Sequence, residues 1–130
     1  MENDFEKWLK IKSFVDQLDS DQIYFDEREI WWCYLGKNIG IEQNGKGDKL
    51  IRPVIIIKKF SRKIIWIIPL STRTSTGDFF FSLLAESNKI RIAILPQMKM
   101  IDSKRLINKM DLISTYEHGL IKKALTAFLQ

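Results

Sequence analysis

Two hydrophobic rhythms divide this chain. Over residues 4–18 the apolar positions Phe5, Trp8, Leu9, Val15 and Leu18 fall at helical spacing with polar residues between them. That pattern predicts an amphipathic helix, and Asn3 or Asp4 can cap its start. An acidic, turn-rich link follows at Asp19-Ser-Asp-Gln. From Ile30 the rhythm changes. Ile30–Leu35, Ile51–Lys58, Lys63–Leu70, Asp78–Leu84 and Lys89–Leu95 are rich in Ile, Val, Phe and Trp, and Gly, Asn, Ser, Arg or Pro bound them. Those are strand signals. Phe60-Ser-Arg-Lys is a short basic turn that predicts a hairpin between the second and third strands. Five short strands without intervening helices predict a small curled antiparallel barrel. Asp102–Lys109 reads as one or two helical turns capped by Asp102. Ser114-Thr-Tyr-Glu117 fits a capping box, and Leu120, Ile121, Ala124, Leu125 and Phe128 form one face of a last helix. The expected organisation is an N-terminal helical extension, 1–26, then a barrel domain with a C-terminal helix, 27–130.

Length and composition narrow the class. The 130 residues suit one domain with a short appendage. No apolar run reaches the roughly 18–20 residues that cross a bilayer. The acidic N-terminus lacks a signal-peptide pattern. The single cysteine, Cys33, cannot form an internal disulfide. Together these predict a reduced, cytoplasmic protein with no membrane partner. Cys33 lies within an apolar run and reads as a small core residue, inert as buried thiols are.

Charge changes the picture more. Residues 1–30 carry four basic and nine acidic side chains, a net of −5, whereas residues 31–130 carry seventeen and seven, a net of +10. Lys46 to Lys63 alone holds seven Lys/Arg against one Asp. A basic body points to an anionic partner, nucleic acid first, although solubility alone also favours basic surfaces. A groove of Lys46, Lys49, Lys58, Lys59, Arg62, Lys63, Arg73 and Lys99 is expected, with Lys58 and Lys59 on opposite faces of their strand.

Candidate chemistry starts with what is missing. No His/Cys/Asp/Glu cluster has metal-ligand spacing, and there is no phosphate-binding loop or dinucleotide fingerprint. The expectation is no cofactor and no metal. The one histidine, His118, reads as a surface residue of the last helix. RNA can be cut without metal if a base takes the 2′-hydroxyl proton, the phosphorane charge is neutralised and the 5′-oxygen leaves. Arg52 supplies a fork of donors for phosphate oxygens, Ser71 and Thr72 supply hydroxyls, and Glu42 supplies a carboxylate. Each has an ordinary structural reading as well. Arg52 before Pro53 can simply open a strand, Glu42 can be a solvated loop carboxylate, and Ser71 and Thr72 can be turn formers.

Four ordered blocks resemble one family. They are Glu29-Ile-Trp-Trp with Leu35-Gly, Gly40-Ile-Glu-Gln and Gly45-Lys; Arg52-Pro-Val-Ile-Ile-Ile; Ile68-Pro-Leu-Ser-Thr; and Gln97 followed by Ile101-Asp and Arg105-Leu. In this order and spacing they resemble the PemK/MazF toxin endoribonucleases over roughly residues 28–115. The resemblance implies an SH3-like barrel, mainly β with flanking helices, acting as a homodimer. It implies metal-independent cleavage of single-stranded RNA and inhibition by a cognate antitoxin. It matches the family's catalytic Arg to Arg52, its catalytic hydroxyl to Ser71, and its Glu-Gln pair to Glu42 and Gln43. Thr72 matches the following Ser, and Gln97 the Gln before the Ile-Asp block. With Lys46, Arg73 and Lys99 these complete the expected RNA-binding set. Ser71 stands where Thr is common, and Pro96 stands where several members have a carboxylate. A CcdB-like barrel that binds a protein target, and a catalytically silent RNA-binding relative, are the alternatives.

Overall fold

In the computed structural model the described residues are 23–36, 50–72, 77 and 79–130. The helix expected over 4–18 lies outside them. Seven strands form one antiparallel sheet: β1 (Glu29–Tyr34), β2 (Ile51–Lys59), β3 (Ile64–Ser71), β4 (Phe80–Leu84), β5 (Ile90–Ile94), β6 (Lys99–Asp102) and β7 (Leu106–Leu112). Helix α1 (Thr115–Phe128) ends the chain. The order is β4-β5-β3-β2-β1-β7, and β6 also pairs with β3.

β2 and β3 are the hub. Their apolar runs are almost unbroken because both faces of the sheet are covered. One core holds Ile55 and Ile57 of β2 with Ile68 and Leu70 of β3, closed over by Leu83, Ala93, Ile113 and Ile121. The other holds Val54 and Ile56 with Ile65 and Ile67, closed over by Trp31, Cys33, Ile101 and Leu106. Period-two alternation sends neighbouring residues into different cores. Phe25 belongs to the second core and Ile23 packs against it, so the last residues before 27 are part of the body.

The β2–β3 hairpin forms as its basic turn predicts. Phe60 N donates to Ile64 O at 3.0 Å, and Ser61 Oγ accepts from Lys63 N and Ile64 N. The β4–β5 hairpin turns through Asn88, whose φ of 69° is a left-handed conformation that Asn tolerates. This turn reaches the far edge of the sheet: Glu86 N donates to Leu112 O at 2.8 Å, and Ser87 donates to the Asp111 carboxylate. The two ends of the strand path are thus joined without a continuous ladder, and the sheet is barrel-like rather than closed.

Two sequence expectations are corrected. Only Ser103–Arg105 forms a helical turn, a short 3-10 one in which the Asp102 side chain accepts from Lys104 N. The chain then runs straight into β7, which among the described strands pairs only with β1. Its burial does not alternate along the strand, which hid it in the sequence. His118 is not a surface residue. It is buried, and its Nε2 lies 3.0 Å from Ile57 O. The last helix forms as expected, with Ser114 Oγ accepting from Glu117 N at 3.0 Å and Ile121 at full burial. Among the described residues no helix is long and apolar enough to cross a membrane.

Candidate active site

The site grows from the register of three strands. Val54↔Pro69, Ile55↔Ile68 and Ile56↔Ile67 fix the β2–β3 ladder. The ladder stops at Val54↔Pro69, and beyond it Arg52 of β2 reaches the end of β3 next to Ser71 through its side chain. A side-chain bond ties the corner together: Arg52 Nη2 donates to Leu70 O at 3.2 Å. On its other side Arg52 pairs with Cys33 of β1. Alternation puts Arg52 on the face of Val54 and Ile56, and Ser71 on the face of Ile65 and Ile67. Both residues are half-buried. Arg52 and Ser71, 19 positions apart in sequence, are therefore brought to one end of the second core.

More positive charge converges there. Burial pushes the Cys33 thiol up to about 12, and the nearby charges of Arg105 and Lys99 oppose that rise. Both cations therefore lie near the residue that pairs with Arg52. Lys99 pairs with Ile67 of β3, which places it on the Ser71 face. Arg105 Nη1 donates to Tyr34 O at 3.4 Å. Sequence reasoning had left Arg105 out of the candidate residues. Its signal was present in the Ile101-Asp…Arg105-Leu block, but nothing local shows that a 3-10 turn carries it back to β1.

The remaining candidates divide. Gln97 closes the 3-10 turn Leu95–Gln97, two residues before Lys99. Thr72 is exposed directly after β3. Glu42, Gln43, Lys46 and Arg73 lie outside the described residues. Of the expected basic groove, Lys46, Lys49 and Arg73 lie outside the described residues. Lys58, Arg62 and Lys63 are exposed near the hairpin turn, at the other end of β3 from Ser71. Lys59 is committed elsewhere: its Nζ donates to Phe25 O at 3.0 Å and sits 4.6 Å from the Phe25 ring centroid. Among the described residues no group of three His, Cys, Asp or Glu could hold a metal ion.

Beside this corner is a mainly apolar cavity of about 390 Å³. Phe79, Phe80, Ile94, Pro96 and Met98 line it, with Gln97 and Lys99 as its polar members. An exposed apolar patch lies elsewhere, at the hairpin. Phe60 stacks edge-on against Trp66 with centroids 4.8 Å apart, and Ile64 and the cross-strand Met100 flank them.

Comparison with known proteins places this arrangement. Residues 26–129 match the model of one family, the PemK-like, MazF-like toxins of type II toxin–antitoxin systems. No curated protein matches the chain. Among solved structures, the chain is similar to MazF (form I) from Deinococcus radiodurans, at 16% identity and a TM-score of 0.66. That match covers 83% of this chain and 98% of the other. It is also similar to an endoribonuclease in complex with its cognate antitoxin from Mycobacterial species, at 14% identity and a TM-score of 0.63, covering 82% and 95%. A third is the Mycobacterium tuberculosis toxin MazF-mt6, at 14% and 0.58, covering 78% and 96%.

Proposed function

Because the chain belongs to the PemK-like, MazF-like toxins of type II toxin–antitoxin systems, we propose that it cuts single-stranded RNA at short sequences, without a metal ion, and that a cognate antitoxin neutralises it. The observation that carries this reading is the bond from Arg52 to the Leu70 carbonyl, which brings Arg52 to the Ser71 end of β3 at a corner that Lys99 and Arg105 also approach. In this reaction the 2′-oxygen bonds to the adjacent phosphorus as the P–O5′ bond breaks. The 2′-hydroxyl proton passes to a base, and the departing 5′-oxygen takes one up. The products carry a 2′,3′-cyclic phosphate and a 5′-hydroxyl. Arg52 neutralises the charge that builds on the phosphorane. Ser71 Oγ donates to a nonbridging oxygen. Glu42 serves as the base. Gln43, Lys46, Thr72, Arg73, Gln97 and Lys99 hold the strand, and Arg105 adds charge near Arg52.

The test is incubation of the purified protein with a long mixed-sequence RNA in EDTA, with both ends of the fragments mapped and an equivalent DNA alongside. Cleavage of RNA alone to cyclic-phosphate ends is expected, since the 2′-hydroxyl is the nucleophile. Activity that EDTA abolishes, or DNA cut as readily as RNA, overturns the reading. RNA affinity falls with salt, with a log–log slope of roughly −0.7 per phosphate neutralised.

The same reading includes a homodimer and an acidic antitoxin segment. The net +10 of residues 31–130 supports the second, because complementary charge speeds encounter. The Phe60, Ile64, Trp66 and Met100 patch supports the first, since contiguous exposed apolar surface marks protein contacts.

A further inference from the structure

Apart from Gln97 and Lys99, the residues that line the mainly apolar cavity near Arg52 and Ser71 have no part in the chemistry just described. Its position follows from register. Ser71 pairs with Ile92 of β5. Two residues on, Ile94 faces the same way, and its β4 partner is Phe80. Ser71, Ile94 and Phe80 therefore share one face, and the cavity begins about 7 Å along β5 from the Ser71 partner. Lys99 shares the Ser71 face through its pairing with Ile67 and also lines the cavity.

The walls suit one kind of occupant. Phe79 is 56% exposed, yet its ring is not loose. Phe128 of α1 braces it edge-on, with centroids 5.6 Å apart and planes at 86°. The Phe79 backbone is pinned as well, because Leu95 N donates to its carbonyl at 2.9 Å. A braced, solvent-facing aromatic is a stacking platform. Phe80, Ile94 and Met98 add flat and flexible apolar surface. Gln97 carries both a donor and an acceptor, as reading a base edge requires, and Lys99 offers a cation to a phosphate. A volume of about 390 Å³ falls at the small end of ligand sites, which run from about 300 to 1,000 Å³.

We propose that this cavity is a nucleobase subsite. A base of the bound RNA strand stacks on Phe79 against Phe80 and Met98, the Gln97 amide reads its edge, and Lys99 holds the attached phosphate. The proposal rests on the RNA reading above and deepens it by assigning sequence preference to residues away from the reacting phosphate.

The test uses short 2′-O-methyl oligonucleotides of A, C, G or U, which bind but cannot be cut, and an abasic ribose-phosphate oligomer of the same length. Binding is read by fluorescence anisotropy for the wild type, Phe79→Ala, Gln97→Ala and Tyr24→Ala, the last an exposed aromatic outside the cavity. The wild type is expected to prefer one base. Phe79→Ala is expected to weaken that oligomer on the order of tenfold, as loss of one stacked base does, and to leave the abasic oligomer and the other three nearly unchanged. Gln97→Ala is expected to flatten the preference, and Tyr24→Ala to change nothing. Mapped cut sites in long RNA are expected to spread in Phe79→Ala and Gln97→Ala. If RNA is cut but Phe79→Ala keeps the wild-type base preference and cut sites, the subsite is refuted and the cleavage reading stands. If no RNA is cut but binding depends on base and on Phe79, the cleavage reading falls and the subsite stands. Base-independent binding by the wild type refutes the subsite outright.

Discussion

Replacing Asp111 with alanine tests how the two ends of the sheet are joined. Three hydrogen bonds end on this carboxylate: Leu112 N at 2.9 Å, Ser87 N at 3.3 Å and Ser87 Oγ. Each is worth about 0.5–1.5 kcal/mol net. Because Ser87 is exposed, the low end applies, giving about 1.5–2 kcal/mol together. A second effect adds to this. Arg91 is 4% exposed, its Nε has no hydrogen-bond partner among the described residues, and Asp111 is the charge that offsets its desolvation. Losing that charge costs about 1 kcal/mol more, well under the figure for a fully buried pair. Asp111→Ala is therefore expected to destabilise by about 2.5–3 kcal/mol in urea unfolding followed by tryptophan fluorescence. The effect depends on pH with a definite sign. Burial works to raise the Asp111 pKa, but the bonds from Ser87 and Leu112 and the charge of Arg91 outweigh it, so the carboxyl lies below the usual carboxylate range. A lowered folded pKa stabilises above the unfolded value of about 3.9, and the contribution drains away as pH falls through the folded value. Wild type and variant should converge as pH drops below about 4. Replacing Arg91 with methionine removes the buried cation, and in that background Asp111→Ala should cost about 1 kcal/mol less. A cost under about 0.5 kcal/mol at pH 7, the range of an ordinary surface change, would falsify this account of the seam. An equal cost with and without Arg91 would remove the charge effect from it.

Four further outcomes are expected. Arg52→Ala loses on the order of 10²–10³ in RNA cleavage rate while remaining folded; Ser71→Ala loses as much or less, Ser71→Thr stays active, and full activity in folded Arg52→Ala would show the site is elsewhere. Cys33, its thiol pushed up to about 12 by burial, resists iodoacetamide at pH 8 in the native protein and reacts once unfolded; rapid native labelling would contradict that burial. Deleting residues 1–22, which carry a net of −3, raises RNA affinity in titrations, whereas deleting 1–26 also removes Phe25 from its core and costs about 3–5 kcal/mol; equal stability of the two truncations would contradict this. Trp66→Asp shifts the protein to monomer in sedimentation if the hairpin patch joins two copies, and an unchanged oligomer would place the interface elsewhere.

The local physics of this chain is written in its sequence. Ile, Val, Phe and Trp runs of strand length between turn formers mark β1 to β5, because β-branched and aromatic side chains fit a pleated sheet wherever they occur. The Ser114 cap and the apolar face of α1 are equally local. Charge is additive along the chain, so the basic body can be counted before any fold is known. Register is not local. β7 is half polar, and its identity as a strand depends on β1 lying beside it. His118 is buried because Ile57, 61 residues away, offers it a carbonyl. Arg52 reaches the Ser71 end of β3 only because β2 and β3 lie side by side. Arg105 reaches their corner only through the turn after β6. The Phe79 cavity exists only because β4, β5 and the 3-10 turn after it converge, with α1 bracing the ring from behind. Residue types set which chemistry the chain can offer. Which of those groups meet is decided by pairings between distant strands, and those follow from burying both faces of β2 and β3 at once.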